Sequence, residues 1–374
     1  MRSRYPATMS SLRAPLAAAR RVVVKFGTGV VARPDGGLAL GRVGALVEQL
    51  HALRQGGVDV LLVSSGAVGL GARRLGFDRR PERVVDRQAC AAAGQGALVA
   101  FYDGLFQRLG GRCAQVLLTE EDFHYRQRFN NLTATLERLL ELGAVPVLNE
   151  NDTLSTAELA LEKGAVFGDN DRLSALVAAY LGADLLVLLS DVDGVFTRPP
   201  HEPDAARIPT WTDSSTFEEG AGSSLGRGGM GSKIEAAQLA SRSGVAAVIA
   251  SGDDRQVVQR VLAGDDLGTL FPPQAGLSRR KAWLAFATAP AGALHVNAGA
   301  RAALLERGAS LLDVGVERVE GAFAAGDVVR VLHDGDELAR GVSALGADAL
   351  RARLAAPPAG RRRPLVHRDD LVIT

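Results

Sequence analysis

The sequence predicts an α/β protein, in which a mostly parallel sheet is sandwiched by helices and a smaller, mostly β domain follows. Between residues 21 and 275, short β-branched runs alternate with segments of helical periodicity, the pattern of a parallel sheet covered by helices. Near residues 270–280, prolines and charges interrupt that alternation, as at a domain boundary. With 374 residues, the chain exceeds what one hydrophobic core usually supports, so we expect two domains.

The predicted strands of the first domain are short and largely apolar. They lie at 22–24, 58–63, 114–118, 145–148, 185–189 and 245–250. Between the first two, Val43, Leu46, Val47, Leu50 and Leu53 share one face of a helix. Ligands of such doubly wound sheets bind at the carboxyl ends of the strands. We therefore expect the functional residues directly after the strands.

The C-terminal region has a different pattern. A helix that contains Ala302 and Leu305 ends at Gly308, a strand follows at 328–332, and turns are predicted at Asp334-Gly335 and at Gly341. We expect one domain at 21–275 and a smaller, mostly β domain at 282–370.

The N-terminal segment is basic, because five arginines occur in the first 21 residues and the first acidic residue is Asp35. We interpret residues 1–20 as a short disordered extension. A transit peptide and a later start at Met9 are the alternatives.

Composition excludes few functions. Hydrophobic residues make up 47% of the chain, charged residues 23%, and the net charge is +1, so nothing indicates a nucleic-acid or membrane partner. No apolar run is long enough for a membrane helix, and we expect a cytoplasmic protein. Cys90 and Cys113 match neither a metal site nor a disulfide framework, and core packing is the expected role of both.

Two strand ends look suited to anions. Lys25 ends the first strand and Gly27 and Gly29 follow it; a buried ammonium requires an anion, and glycines allow a ligand close to the backbone. An edge lysine that reaches solvent is the alternative. After the second strand, the segment 64–67 (Ser-Ser-Gly-Ala) opens a helix, which predicts an anion site or simple N-capping by serine.

Two acidic segments lie further along the chain. The segment 149–152 (Asn-Glu-Asn-Asp) follows a strand, and Asp152 with the asparagines could bind a substrate that carries an amine and carboxylates, although turn chemistry would also explain it. At 168–171 (Gly-Asp-Asn-Asp) a helix begins. Capping needs only one of these residues, which leaves Asp171 available to position cationic groups.

The glycine-rich segment 226–233 (Gly-Arg-Gly-Gly-Met-Gly-Ser-Lys) fits neither the dinucleotide pattern, since no strand precedes it, nor the phosphate-loop pattern, since Ser232 separates Gly231 from Lys233. A flexible glycine run that enters a helix with a lysine still suits a polyphosphate. Phosphoryl transfer chiefly needs positioning and positive charge, which Lys25 and Lys233 can supply. A carboxylate acceptor is already ionised near neutral pH and needs no general base.

Together these segments resemble the amino-acid kinase family. The likeness rests on residues 23–29 (Val-Val-Lys-Phe-Gly-Thr-Gly), 64–67, 149–152, 168–176 (Gly-Asp-Asn-Asp-Arg-Leu-Ser-Ala-Leu), 190–195 (Ser-Asp-Val-Asp-Gly-Val) and 228–233. Within the family the chain is most similar to the members that phosphorylate the γ-carboxylate of L-glutamate in the first step of proline biosynthesis. A family member acting on aspartate is an alternative that the segment 149–152 argues against.

The resemblance implies a role for each site residue. Lys25 and Lys233 would hold the phosphates of ATP, with Asp171 aligning both lysines. Glutamate would contact Ser65, Asp152 and Asn170. The nucleotide would contact Ser190, Asp191, Arg227, Gly228, Gly229, Met230, Gly231 and Ser232. Mg²⁺ would arrive with ATP, and homo-oligomerisation and feedback inhibition by proline are further expectations from the family.

The C-terminal stretch from Gly292 to about Asp370 resembles a PUA domain, on the run Gly-Ala-Arg-Ala-Ala-Leu-Leu-Glu-Arg-Gly-Ala-Ser-Leu-Leu. Such domains bind RNA in other proteins, and an RNA-binding factor is the competing functional class. Residues 281–374 contain 12 lysines and arginines against 11 acidic residues, so charge does not support RNA binding. Two positions depart from the family pattern: Arg227 stands where a small or hydroxyl residue is commoner, and Gly29 stands where serine often occurs.

Overall fold

The computed structural model describes residues 12–33, 35–79, 81–119, 121–124, 126–154, 170–212, 214–218, 229–274, 281, 284–285, 290–355 and 364–373. The chain divides into two compact units. The first comprises residues 1–122 and 127–276, and the second comprises residues 123–126 and 277–374. No helix in these described ranges is long and apolar enough to cross a membrane.

The first unit is built on a seven-stranded sheet. Its strands are β1 (Arg21–Phe26), β2 (Asp59–Ser64), β3 (Cys113–Leu118), β4 (Val145–Glu150), β5 (Leu185–Ser190), β6 (Ala246–Ser251) and β7 (Thr269–Phe271). The order is β3-β4-β2-β1-β5-β6-β7. Every neighbouring pair is parallel except β6 with β7. The six predicted strands and the mostly parallel sheet are therefore confirmed.

Helices connect the strands of this sheet, and residues 123–126 within them belong to the second unit. The helices are α1 (Thr28–Val31), α2 (Leu40–Gln55), α3 (Ala67–Arg74), α4 (Val84–Arg108), α5 (Glu121–His124), α6 (Arg126–Glu141), α7 (Asn170–Leu181), α8 (Met230–Arg242) and α9 (Val257–Ala263). The apolar face predicted in the first long helix packs inward in α2, where Val43, Leu46, Val47 and Leu50 are fully buried.

The central strand β1 determines where a ligand can bind. It pairs with β2 on one side and with β5 on the other, so Phe26 lies between Ser64 and Leu189. Since the chain passes from β4 to β5 across β1, the strand order switches direction there. The carboxyl ends of parallel strands at such a switch point form the usual ligand crevice.

A close helix crossing brings α4 against α3. A Cβ atom on Gly71 would lie 1.7 Å from the Cys90 carbonyl oxygen, and one on Gly94 would lie 1.9 Å from the Ala67 carbonyl oxygen. No side chain fits at such distances, so only glycine permits this contact. Because α3 begins next to the end of β2, the crossing places the middle of α4 near the carboxyl edge of the sheet.

The N-terminal segment differs from the expectation of a disordered extension through residue 20. Leu16 and Arg13 are buried, and residues Ala14–Ala18 form a 3₁₀ turn. The Arg13 guanidinium donates to the carbonyl oxygens of Pro209 (2.9 Å), Asp265 (3.1 Å), Leu267 (2.8 Å) and Gly268 (3.1 Å). Composition suggested a solvated basic tail, but carbonyl oxygens outside regular structure provide acceptors that no sequence pattern reveals. Residues 1–11 lie outside the described range.

The second unit is mostly β. Its elements are β8 (Gly292–Val296), α10 (Ala298–Arg307), β9 (Leu311–Leu312), β10 (Val316–Gly321), β11 (Val328–His333), β12 (Asp336–Val342), α11 (Ala347–Ala355), β13 (Pro364–Val366) and β14 (Leu371–Ile373). Five strands form a sheet of order β10-β8-β11-β12-β14, and β13 pairs with β9. Buried aliphatic side chains from both sheets and from α10 and α11 form its core.

The predicted turn residues of this unit have mixed outcomes. Gly308 ends α10 in the left-handed conformation (φ 56°), and Asp334 (φ 51°) with Gly335 (φ 94°) forms the β11–β12 turn, both as predicted. The turn predicted at Gly341 is wrong, because this residue lies within β12. Its lack of a side chain serves packing instead, since a Cβ there would lie 2.3 Å from Val366 Cγ1.

Candidate active site

Three charged side chains meet at the carboxyl edge of the central strands. Lys25 is the penultimate residue of β1, Asp171 lies in the first turn of α7, and Lys233 lies in the first turn of α8. Lys25 Nζ is 2.7 Å from Asp171 Oδ1, and Lys233 Nζ is 3.2 Å from Asp171 Oδ2. All three are buried, with Asp171 at 0% exposure. We call these residues the charged triad.

The charged triad keeps its carboxylate ionised. Burial alone raises the pKa of Asp171, but the nearby Lys25 and Lys233 ammonium groups outweigh that effect and lower it below the ordinary value of 3.8. Two positive charges therefore share one negative charge. Two buried ammonium groups so close together favour an anionic ligand beside them.

The start of α8 holds Lys233 in place. Ser232 Oγ lies 3.3 Å from Asp171 Oδ2 and 3.0 Å from the Gly229 carbonyl oxygen. Met230 and Gly231 begin the helix. These residues therefore adjoin the charged triad, whereas the predicted nucleotide residues Arg227 and Gly228 lie outside the described residues.

The loop after β1 runs close to the end of β5. A Cβ atom on Gly27 would lie 3.1 Å from the Leu189 carbonyl oxygen and 3.7 Å from Lys25 Nζ. Next along the loop, a Cβ on Gly29 would lie 3.6 Å from the Asp191 side chain. Ser190 ends β5 and donates its hydroxyl to Asp191 Oδ1 at 3.0 Å. The predicted pair Ser190 and Asp191 thus lies beside the glycine loop.

Neutral side chains form a second polar group next to the charged triad. Asn170 Nδ2 donates to Ser65 Oγ (3.0 Å) and to Asn149 Oδ1 (2.9 Å). Asn149 Nδ2 in turn donates to Gln95 Oε1 on α4 at 2.8 Å. We call Ser65, Asn170, Asn149 and Gln95 the amide network. It joins predicted substrate residues to a glutamine that no sequence pattern indicated.

The segment 64–67 differs in detail from an anion-binding helix start. The Ser65 N–H donates to the Phe26 carbonyl oxygen (3.1 Å) and is not available to a ligand. Gly66 has a positive φ of 111°, a conformation that favours glycine. Serine capping is absent as well, because no side chain caps α3. The Ser65 hydroxyl is therefore the group that this segment offers to a ligand.

Asp152 lies just beyond β4, in a turn, and its own side chain is half-buried. Asn151 anchors this turn through an N–H that donates to the Leu118 carbonyl oxygen at 2.7 Å. The edge thus gathers Lys25, Ser65, Asp152, Asn170, Asp171, Ser190, Asp191, Gly229, Met230, Gly231, Ser232 and Lys233 at the ends of β1, β2, β4 and β5 and at the starts of α7 and α8.

A resident metal centre does not fit these side chains. Within the described ranges, no group of three or more histidine, cysteine, aspartate or glutamate residues could hold an ion. Asp171 already has both oxygens beside lysine ammonium groups.

Comparisons with known proteins identify the family of the chain. The model of the amino acid kinase family matches residues 20–251, and the model of the PUA domain matches residues 292–354. Curated relatives named glutamate 5-kinase include those of Bifidobacterium adolescentis (43% identical, covering 98% of this chain and 99% of the relative) and Gloeobacter violaceus (45% identical, covering 94% and 98%). The relative from Chromohalobacter salexigens is 44% identical and covers 98% and 99%.

Among solved structures, a UMP kinase from Bacillus anthracis aligns with 69% of this chain and 98% of its own, at a TM-score of 0.44 and 17% identity. That alignment says nothing about the substrate. The family model spans more than half of the chain, and the curated relatives match over nearly its full length. The chain therefore belongs to the amino acid kinase family and carries a C-terminal PUA domain.

Proposed function

We propose that the chain is an ATP-dependent kinase that phosphorylates the γ-carboxylate of L-glutamate and yields L-glutamyl 5-phosphate, the first step of proline biosynthesis. The full-length similarity to curated glutamate 5-kinases supports this substrate. The observation that carries the chemistry is the charged triad, in which two buried ammonium groups flank one carboxylate.

In this proposal the two lysines bind the moving phosphoryl group. A γ-carboxylate oxygen attacks the γ-phosphorus, the bond from that phosphorus to the ADP oxygen breaks, and the electron pair leaves with ADP. No proton is transferred, because the acceptor is already ionised near neutral pH. Lys25 and Lys233 stabilise the negative charge on the phosphoryl oxygens, and Asp171 fixes the two ammonium groups relative to each other.

The amide network and Asp152 provide the glutamate end of the proposed site. Ser65 Oγ accepts a hydrogen bond from Asn170, so its own hydrogen can point to a substrate carboxylate. Asp152 offers a carboxylate for the substrate ammonium. Ser190, Asp191 and the residues from Gly229 to Lys233 would border the nucleotide, as their place beside the charged triad supports.

Mg²⁺ belongs to this proposal as a companion of ATP. When bound with ATP, it would neutralise part of the phosphate charge. The protein's own contribution is the pair of lysine ammonium groups beside Asp171.

Further parts of the proposal rest on the family resemblance. We assign the chemistry to residues 21–275, treat residues 282–370 as the PUA domain, and expect a homo-oligomer that proline inhibits in the cytoplasm, where ATP is available. Light scattering of the purified chain tests the oligomer. Titration of proline into the kinase assay tests the inhibition.

A hydroxamate assay tests the reaction itself. Purified protein with ATP, Mg²⁺ and hydroxylamine is expected to form a hydroxamate from L-glutamate, because hydroxylamine traps an acyl phosphate. Aspartate and N-acetylglutamate serve as controls and should give none. No hydroxamate from glutamate would contradict the proposal, and equal product from aspartate would contradict its substrate.

A further inference from the structure

The amide network has a hydrogen-bond direction that one backbone group determines. The Glu150 N–H donates to Asn149 Oδ1 at 2.9 Å, within the buried end of β4. A backbone N–H can only donate, so the atom opposite it must be the amide oxygen. The amide nitrogen of Asn149 consequently faces Gln95.

The same reasoning extends through the amide network. Gln95 must present its oxygen to Asn149 Nδ2, and they are 2.8 Å apart. Asn149 Oδ1 must receive a donor from Asn170, so the nitrogen of Asn170 faces Asn149 (2.9 Å) and also Ser65 (3.0 Å). Asn170 Oδ1 is then directed elsewhere, and it is a buried acceptor with no hydrogen-bond partner among the described residues.

A buried acceptor without a partner is costly in a folded protein unless a ligand satisfies it. The ligand group that fits this acceptor is a hydrogen-bond donor, which an ionised carboxylate cannot supply. An amino-acid substrate carries such a donor in its ammonium group. Ser65, whose oxygen already accepts from Asn170, has its hydrogen available for a carboxylate of the same substrate.

From this geometry we infer that Gln95 is a positioning residue for the substrate ammonium: it holds Asn149, which holds Asn170 with its amide oxygen toward that ammonium. Gln95 itself does not contact the substrate and acts through Asn149 and Asn170. The inference rests on the proposed glutamate substrate and adds how the chain recognises its amine. The Gly71–Gly94 helix crossing places Gln95, the residue after Gly94, within reach of Asn149.

The test compares glutamate with glutarate, which has both carboxylates and no amine. Calorimetry measures the Kd of each ligand for the wild type, Gln95→Met and Gln95→Glu. Gln95→Met removes the acceptor at nearly constant volume and leaves the buried Asn149 amide without a partner. We expect its Kd for glutamate to rise about tenfold, as for one lost buried hydrogen bond, while the Kd for glutarate changes less than about threefold.

Gln95→Glu keeps an acceptor for Asn149 Nδ2, so it should retain the wild-type preference for glutamate over glutarate. Gln107→Met is the matched control. Gln107 lies on the same helix, and its exposed side-chain amide bonds only Asp103 within the described residues. If Gln95→Met does not fold by circular dichroism, Gln95→Ala removes the same acceptor with less bulk.

Three results overturn the role of Gln95: a Gln95→Met variant that behaves as Gln107→Met does, equal weakening of glutamate and glutarate, or a Gln95→Glu variant as impaired as Gln95→Met. The hydroxamate assay keeps the two proposals separate. Glutamate binding without turnover contradicts only the proposed function, and turnover with unchanged discrimination contradicts only the role of Gln95. A wild type that neither binds nor phosphorylates glutamate contradicts both.

Discussion

Two neighbouring regions of the first unit use opposite chemistry. The charged triad joins buried full charges at 2.7 and 3.2 Å, whereas the amide network links neutral side chains through hydrogen bonds of 2.8 to 3.0 Å. The boundary passes between two consecutive residues, since Asn170 belongs to one region and Asp171 to the other. Successive side chains on a helix point about 100° apart, so the first turn of α7 serves both.

The comparison shows what each chemistry is suited to. A buried ion pair contributes little net stability because desolvation offsets its attraction, but the two ammonium groups of the charged triad are suited to binding phosphates. An amide has a defined donor end and acceptor end, so the amide network can distinguish an ammonium from a carboxylate. We therefore expect changes in the charged triad to affect turnover and changes in the amide network to affect substrate affinity.

The largest expected effect comes from removing a lysine. Lys25→Met or Lys233→Met should lower kcat by about a thousandfold, because each removes a charge that stabilises the transferring phosphoryl group. Glutamate affinity should change far less. The measurement is steady-state kinetics together with glutamate calorimetry, and Lys281→Met in the second unit is the control. Loss of glutamate binding equal to the loss of turnover would contradict the division between the two regions.

Asp171→Asn should be the next most severe change. It leaves two buried ammonium groups without their shared carboxylate and should lower the free energy of unfolding by about 3 kcal/mol, with a loss of kcat of about a hundredfold. Chemical denaturation and kinetics measure the two effects.

The pH dependence of Asp171→Asn sharpens that prediction. The folded-state pKa of Asp171 lies below its ordinary value of 3.8, so its ionised form stabilises the fold at pH values above 3.8 and this contribution is lost as the pH falls through the folded-state pKa. The stability difference between wild type and variant should therefore be constant near neutral pH and shrink in strong acid. A difference that grows on acidification would show that the carboxylate is not the stabilising form.

Ser65→Ala tests the amide network with an intermediate effect. It removes the acceptor for Asn170 Nδ2 and the hydroxyl offered to a substrate carboxylate, so the KM for glutamate should rise about tenfold. The kcat and the KM for ATP should change less than about threefold. A selective fall in kcat would move Ser65 into the phosphoryl-transfer machinery.

Gly29→Ser is expected to have the smallest effect. An added Cβ would lie 3.6 Å from the Asp191 side chain, an ordinary contact, so the family's common serine fits here. Its hydroxyl should lower the KM for ATP by no more than about threefold, as initial rates at saturating glutamate can measure. A higher KM would indicate that the loop needs glycine at this position.

The sequence predicted the strands and the charged triad well for physical reasons. Buried parallel strands are continuous apolar runs, and Lys25 and Asp171 are conspicuous because a buried charge needs a partner. Gln95 could not be predicted, because its position depends on the Gly71–Gly94 crossing, which is a tertiary contact. Gly341 was misassigned to a turn for a related reason, since close packing against Val366 and a tight turn both select glycine.

The rarity of lysine in this chain supports a specific role for the two lysines of the charged triad. Only four of the 43 basic residues are lysines, at positions 25, 163, 233 and 281, and two of these belong to the triad. Arginine is larger than lysine, and its planar guanidinium would place five N–H donors where the charged triad holds a compact ammonium group. Lysine thus occupies both cationic positions of the charged triad in a chain whose other basic residues are nearly all arginine.

The Arg13 contacts have a consequence for how the chain folds during synthesis. The carbonyl oxygens that Arg13 binds at residues 265–268 lie 252 to 255 positions later in the sequence. At bacterial or eukaryotic elongation rates, about 10 to 50 s separate translation of the arginine from translation of these acceptors. Throughout that interval the guanidinium lacks three of its four carbonyl acceptors, so the N-terminal turn reaches its final contacts late in the synthesis of the first unit.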